Sequence, residues 1–221
     1  MKLLISAITK YLMGITLMGA LIFLPAGTLH WSNAWLLMAI LFIPMLLMGI
    51  IMYIKSPKLL TKRLNNKEKR STQKGVVAMS GLIFIGGFVV AGLNHRFGWH
   101  TLPNYISYTF ATIFTIGYTL YAEVMRENTY LSRTIEIQEN QTVVSTGLYG
   151  IVRHPMYMAT VLMYLAMPLV LGSLIAFGIM LLYIPIIIRR INDEEQLLKT
   201  ELPGYTEYCT QVRWRLMPYI Y

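Results

Sequence analysis

Polar connectors divide the chain into five apolar stretches, at residues 11–29, 34–54, 76–93, 105–125 and 155–188. Each of the first four is close to the roughly 20 residues an α-helix needs to cross the hydrocarbon layer. Lipid offers no partners to backbone N–H and C=O groups, so the pattern predicts helices. The fifth stretch is too long for one crossing, and "LGSL" at 171–174 interrupts it. It predicts a helical hairpin with two short arms of about 15 to 17 residues, near the lower limit for crossing. The run after Lys2 and Lys10 has the outline of a signal peptide. It ends in "LPAGTLHW" without a small-x-small cleavage pattern, so it is read as a retained first span. The expected fold is all-α: a polytopic membrane protein with about four spans plus a C-terminal helical hairpin. Residues 1–126 form an N-terminal set of transmembrane helices, and 127–221 hold the hairpin and a polar tail.

Composition agrees with that pattern. Only 13% of the 221 residues are charged, against about 25% in soluble domains. The net charge of +9 would suit a nucleic-acid partner, but its placement argues for orientation instead. The connector 55–74 carries eight Lys or Arg and one Glu, which marks it as cytoplasmic. By alternation the N-terminus, 126–154 and 189–221 also lie inside, while 30–33 and 94–104 lie outside. Of 19 Lys and Arg, Arg96 is then the only one outside. Trp31, Trp35 and Trp99 fall at the outer interface, as an aromatic belt would. The chain is therefore expected in a membrane, multi-pass, with both termini cytoplasmic. Anionic lipid headgroups are natural partners of the basic connector. No nucleic acid is expected, because a folded reader with interleaved aromatics is absent. Oligomeric state is not legible.

The remaining isolated signals are weak. Cys209 is the only cysteine, which rules out a disulfide framework and a cysteine-based zinc site. His95 and His100 stand five apart, off one helical face and without a carboxylate nearby, so no metal is expected. Pro25, Pro44, Pro168 and Pro185 read as tolerated kinks. Gly87 and Ala91 form a small-xxx-small pair suited to close helix approach.

Charged chemistry should therefore sit on the cytoplasmic side, where two clusters flank the hairpin: "RHP" at 153–155 and "RRINDEE" at 189–195. A hairpin brings its ends together, so the clusters should be neighbours. Pro155 suits the first turn of a helix and pushes His154 out of the helical region. Gly147 and Gly150 allow a tight approach before it. Arg153 and His154 would then face a helix N-terminus, a place for a carboxylate or phosphate. Tyr149 and Tyr157 offer rings for a flat heterocycle or a cationic centre. At the exit, Arg190 and Glu194 share a helix face in the order less favourable for an internal pair, which suggests separate partners. The plainer alternative is that these cations are only headgroup anchors and "EEQLL" the start of a surface helix.

"TGLYGIVRHPMY", some thirty apolar residues, "RRINDEEQLL" and "PGYTEYCTQVRWRLMP" together resemble the isoprenylcysteine carboxyl methyltransferase family and its phospholipid N-methyltransferase relatives. The resemblance covers roughly residues 127–218 and implies a membrane enzyme using S-adenosyl-L-methionine at a cytoplasmic site; "LLTKR" and "LNHRFGW" resemble its bacterial branch, which implies a bacterial inner membrane as its place. It implies that His154, Pro155, Met156 and Tyr157 bind the cofactor, together with Gln141, Thr142, Val143 and Val144, the turn tyrosine Tyr149, and Glu194. Gln138 is a further cofactor-contacting candidate. Arg190 would face the substrate. Where the family usually has Gly two residues after the Tyr, this chain has Ala159.

A sulfonium is already an activated leaving group, so the enzyme has mainly to align the acceptor and exclude water. No metal is called for. A carboxylate acceptor is a nucleophile at pH 7, and Arg190 would orient it. An amine acceptor would need a base, for which Glu195 and Glu194 are the nearby choices. The first expectation is a carboxyl O-methyltransferase with a lipophilic, isoprenylcysteine-like acceptor, in which Arg190 and Glu195 are the catalytic candidates. The alternatives are a phospholipid N-methyltransferase, a sterol-reductase-like enzyme using NADPH, and a non-catalytic lipid-binding membrane protein.

Overall fold

The computed structural model describes residues 2–64, 71–131, 137–138 and 140–221. Residues 65–70 of the basic connector and 132–136 and 139 of the second cytoplasmic connector lie outside that description. The described residues form helices α1 (Lys2–Ala26), α2 (Ser32–Lys55), α3 (Pro57–Leu64), α4 (Ser71–Phe97), α5 (Asn104–Glu127), α6 (Pro155–Val170), α7 (Leu174–Leu181), α8 (Tyr183–Glu201) and α9 (Tyr205–Gln211), with a 3-10 turn at Gly147–Gly150. The expected all-α membrane architecture is what forms.

Among the described residues, four stretches are long and apolar enough to cross a membrane: Lys2–Ala26, Ser32–Lys55, Gly75–Phe97 and Leu174–Glu201. Their outward faces carry large apolar residues in the open, among them Ile5, Leu12, Leu24, Ile43, Leu47, Ile54 and Leu82. In water such a surface would drive association; in lipid it is the expected exterior.

The fourth expected span, α5, is long enough but carries several polar residues. Thr109, Thr112, Thr115 and Thr119 each donate to the carbonyl four residues back, at 2.9–3.1 Å. The hydroxyls are satisfied within the helix, so polarity in sequence does not become an unpaired group in lipid.

The hairpin departs from its predicted shape. α6 is short, with 16 residues, and survives because protein surrounds it: ten of its residues, from Pro155 to Val170, are buried. The return arm is not short. It runs 28 residues, Leu174–Glu201, and carries "RRINDEE" on the same helix instead of ending before it. Its one interruption is at Leu182, where α7 gives way to α8. Pro185 explains the place: it lacks the N–H that would bond the Leu181 carbonyl and its ring crowds that oxygen.

Small residues set the close contacts. A Cβ on Gly92 would stand 2.7 Å from the Ile22 carbonyl oxygen of α1. On Gly87 it would meet the Met180 methyl of α7 at 2.5 Å. The predicted Gly87–Ala91 pair thus does mark close packing, with Ala91 fully buried; Gly92, next to it, holds the tighter backbone approach. Gly117 of α5 faces α6, where an added Cβ would sit 3.0 Å from Met163 Cγ and 3.4 Å from the Ala159 oxygen.

α3 was not expected within the basic connector. Its Leu59 and Leu60 are 7% and 4% exposed. Leu59 packs in a cluster with Val124, Met125, Leu131 and Tyr149, against which Met156 also lies. Burial of that apolar face anchors a helix too short to stand alone.

Candidate active site

The site is assembled from the two polar ends of the α6–α8 hairpin and the connector before it. The connector's last turn is held by Glu127, the last residue of α5. Thr146 Oγ1 donates to Glu127 Oε1 at 2.8 Å, and the Leu148 N–H donates to Oε2 at 3.2 Å. Gly147 lies beneath that carboxylate with φ +49°, and a Cβ there would stand 2.2 Å from Glu127 Oε1. Here only glycine has both the backbone conformation and the room. The turn presents Tyr149, whose hydroxyl accepts from Asn128 Nδ2 at 2.9 Å and whose carbonyl accepts from Tyr208 Oη at 2.6 Å.

His154 stands just before α6 with φ −124° and ψ 60°, and Pro155 opens the helix, as expected. What Arg153 and His154 face was not expected. Arg153 Nε donates to Glu195 Oε1 at 2.6 Å, and His154 Nε2 lies 3.3 Å from the same oxygen. Arg215 Nε is 3.1 Å from Glu195 Oε2, and Lys199 Nζ is 3.8 Å away. Arg153 also donates to the carbonyls of Val212 and Arg213, and the backbone N–H groups of Arg153 and His154 donate to the carbonyls of Trp214 and Arg215. The anion at this corner is the protein's own. Burial works against the Arg153 charge, yet the bond to Glu195 more than offsets it and raises the guanidinium pKa.

This arrangement bears on two of the candidate residues. Glu195 is 2% exposed and surrounded by cations, and it does not line the cavity described below. A carboxylate so engaged is poorly placed to take a proton from an acceptor. Arg153 is more than a headgroup anchor: it ties the hairpin to the C-terminal segment.

Beside this cluster lies a cavity lined by Gln141, Thr142, Val143, Val144, Tyr149, His154, Met156, Tyr157, Arg190 and Glu194. The structure thus gathers most of the sequence-predicted site residues around one space. Pro155 and Gln138 do not line it. Pro155 acts by starting α6. Gln138 closes the connector: its N–H donates to Gln141 Oε1 at 2.9 Å, its side-chain amide donates to the Tyr130 carbonyl, and its Oε1 accepts from Lys62 of α3.

Tyr157 joins the two polar residues of the far wall. Its hydroxyl donates to Glu194 Oε2 and accepts from Arg190 Nε at 3.0 Å. The Arg190 guanidinium also lies 5.9 Å from the centre of the Tyr157 ring. Ala159, in contrast, is fully buried, against Gly117 of α5, and is not among the cavity's lining residues.

Sequence reasoning missed Asn128, Tyr130, Leu197, Leu198, Leu202, Tyr205 and Tyr208 of the cavity wall. Leu202, Tyr205, Tyr208 and Val212 form one apolar cluster with Val143 and Cys209 against them. The spacing of Tyr205 and Tyr208 on one helix face was the available signal. Burial pushes the phenol pKa values of Tyr149, Tyr205 and Tyr208 upward, so all three are neutral hydroxyls at physiological pH. Burial likewise raises the Cys209 thiol, which disfavours the thiolate.

The donor set fits an amphoteric nucleoside such as S-adenosylmethionine. Glu194 offers acceptors to ribose hydroxyls or an ammonium, His154 offers a ring nitrogen, the tyrosines offer rings to a cationic centre, and the 141–144 segment offers a polar backbone edge.

Comparison with known proteins bears on the fold and on the segment that builds this wall. Residues 109–200 match the isoprenylcysteine carboxyl methyltransferase (ICMT) family. The fold is similar to the structure of the eukaryotic intramembrane Ras methyltransferase ICMT solved without a monobody, with a TM-score of 0.60 and 16% identity, over 92% of this chain and 74% of that one. A segment of 91 residues, 40% of this chain, is 32% identical to the Delta(14)-sterol reductase TM7SF2 of Mus musculus; it spans 22% of that protein's length. Residues 109–200, which hold most of the cavity wall, thus match the isoprenylcysteine carboxyl methyltransferase family, and the chain as a whole is similar in fold to a member of it.

Proposed function

We propose that this protein is an integral membrane methyltransferase that uses S-adenosyl-L-methionine to methylate the carboxylate of a lipophilic, isoprenylcysteine-like acceptor. The observation that carries the reading is the wall in which Tyr157 links Glu194 to Arg190. An anionic acceptor of cofactor groups and a cationic holder of a carboxylate stand side by side on one cavity. When bound there, S-adenosylmethionine supplies a methyl group activated by its sulfonium. Glu194, His154, Tyr149 and Tyr157, with Met156 and residues 141–144, are the side that holds it. Arg190 orients the acceptor carboxylate, and the buried tyrosine and leucine wall keeps water out. A carboxylate needs no base, which suits a site whose Glu195 is bound by cations. The phospholipid-amine alternative would need one. Lipid-facing helices on the N-terminal side suit an acceptor that arrives from the bilayer. The placement of the cations supports cytoplasmic termini and a site open to the cytoplasm.

The test is calorimetry on the full chain in detergent with S-adenosylhomocysteine, followed by labelled-methyl transfer to host lipid extract and to N-acetyl-S-farnesylcysteine. Binding with a Kd in the micromolar range, lost in Glu194→Ala and His154→Ala, is expected. Wild-type protein that binds no S-adenosylhomocysteine would sink the reading. The identity with a sterol reductase supports a second reading, with a nicotinamide cofactor in the same cavity; NADPH binding in place of S-adenosylhomocysteine would establish it.

A further inference from the structure

Gln73 lies on α4, outside the matched segment 109–200, and its side chain is fully buried. Its amide bridges two residues of α8. Nε2 donates to Asp193 Oδ2 at 2.7 Å, and Oε1 accepts from Arg190 Nη1 at 3.2 Å. A carboxylate only accepts hydrogen bonds and a guanidinium only donates them. The side chain between them must do both, and an amide does; its orientation follows from its neighbours. On its other side Arg190 donates to Tyr157 Oη, which donates to Glu194. One line of hydrogen bonds therefore runs Asp193–Gln73–Arg190–Tyr157–Glu194, from α8 through Gln73 of α4 and back to the cavity wall.

We infer that Gln73 is a positioning residue for acceptor recognition: it fixes the guanidinium of Arg190 at the angle that meets the acceptor carboxylate. The inference rests on the methyltransferase reading. Arg190 has a long, rotamer-rich side chain, and two fixed bonds at Nη1 and Nε leave its fork little freedom to turn. Glu would keep the shape of Gln73 but place a negative charge on Arg190 and beside Asp193. Met would keep the volume and lose both bonds. The α4 segment, and not only the family region, thereby takes part in choosing the acceptor. Gln73 touches neither bound molecule in this scheme; it acts through Arg190.

The experiment compares wild type, Gln73→Met and Gln73→Glu as full chains in detergent. Steady-state methyl transfer to N-acetyl-S-farnesylcysteine is measured with S-adenosylhomocysteine affinity and thermal unfolding. Both variants should lose about tenfold or more in kcat/KM for the acceptor, chiefly through KM, because a misaligned holder costs this much. Their S-adenosylhomocysteine Kd should stay within about twofold of wild type, which no general loosening of the site would allow. Gln73→Glu should have the larger acceptor KM, since its charge competes for Arg190. Unchanged acceptor kinetics in both variants would overturn the inference, as would parallel losses of cofactor affinity and acceptor kinetics. Should Gln73→Met unfold, Gln73→Glu alone decides by the same two readouts. Wild-type protein without cofactor binding or transfer would instead remove the underlying reading.

Discussion

Arg153 and Glu195, 42 residues apart in sequence, form a buried ion pair with Nε 2.6 Å from Oε1. One residue precedes the α6–α8 hairpin and the other follows its apolar part. The pair holds the two ends together from inside, and Arg215 and His154 complete the cluster around the same carboxylate.

Removing that carboxylate should unfold the site end of the molecule. Glu195→Gln leaves Arg153 buried without its counter-charge, a change that costs about 3–5 kcal/mol in comparable pairs. Thermal unfolding in detergent should show a clear drop. Replacing both partners, as Arg153→Met with Glu195→Leu, should recover part of it. A wild-type unfolding curve for Glu195→Gln would show that the pair does not secure the hairpin.

Gly147→Ala places a methyl where the Glu127 carboxylate sits, at a residue with φ +49°. Strain in the left-handed region alone is worth about 1–3 kcal/mol. The variant should lose stability by at least about 1 kcal/mol and weaken S-adenosylhomocysteine binding, because the turn carries Tyr149. Calorimetry and unfolding on the same preparation check both. Full affinity would mean that Tyr149 keeps its place without the turn.

Ala159→Gly restores the residue usual in the family at a position packed on Gly117. The expected result is a loss of about 1 kcal/mol from glycine in a helix interior and no change in cofactor affinity. A tighter or weaker S-adenosylhomocysteine Kd would put Ala159 on the cavity side of α6 after all.

The buried phenols set an alkaline limit. Burial raises the pKa values of Tyr149, Tyr205 and Tyr208 above the ordinary 10.0. Their contribution to stability is therefore complete below pH 10 and falls as the pH rises beyond it, where the unfolded chain loses protons that the folded chain keeps. Melting temperature should hold level between about pH 7 and 9 and decline above about 10. Tyr208→Phe, which also loses the 2.6 Å bond to the Tyr149 carbonyl, should start about 1 kcal/mol lower and decline less steeply. An identical slope in the variant would remove Tyr208 from this account.

The order of apolar and charged residues is enough to set the membrane architecture and the neighbourhood of the site. Apolar length dictates helices in lipid, charge asymmetry suggests an orientation, and Pro155 after Arg153 and His154 sets a helix start that the structure keeps. The residue pattern "RHPMY" with "RRINDEE" also pointed to the cavity that Tyr157, Arg190 and Glu194 share. Which carboxylate meets which partner depends on packing. Glu194 and Glu195 are adjacent in the chain, but about 100° apart around a helix, so one meets Tyr157 and the other meets Arg153. Sequence spacing cannot say which face a neighbouring segment will cover. The same reason hid Glu127 against the Thr146–Leu148 turn and Gln73 beside Arg190: each contact joins residues far apart in the chain, and only packing brings them within bonding distance.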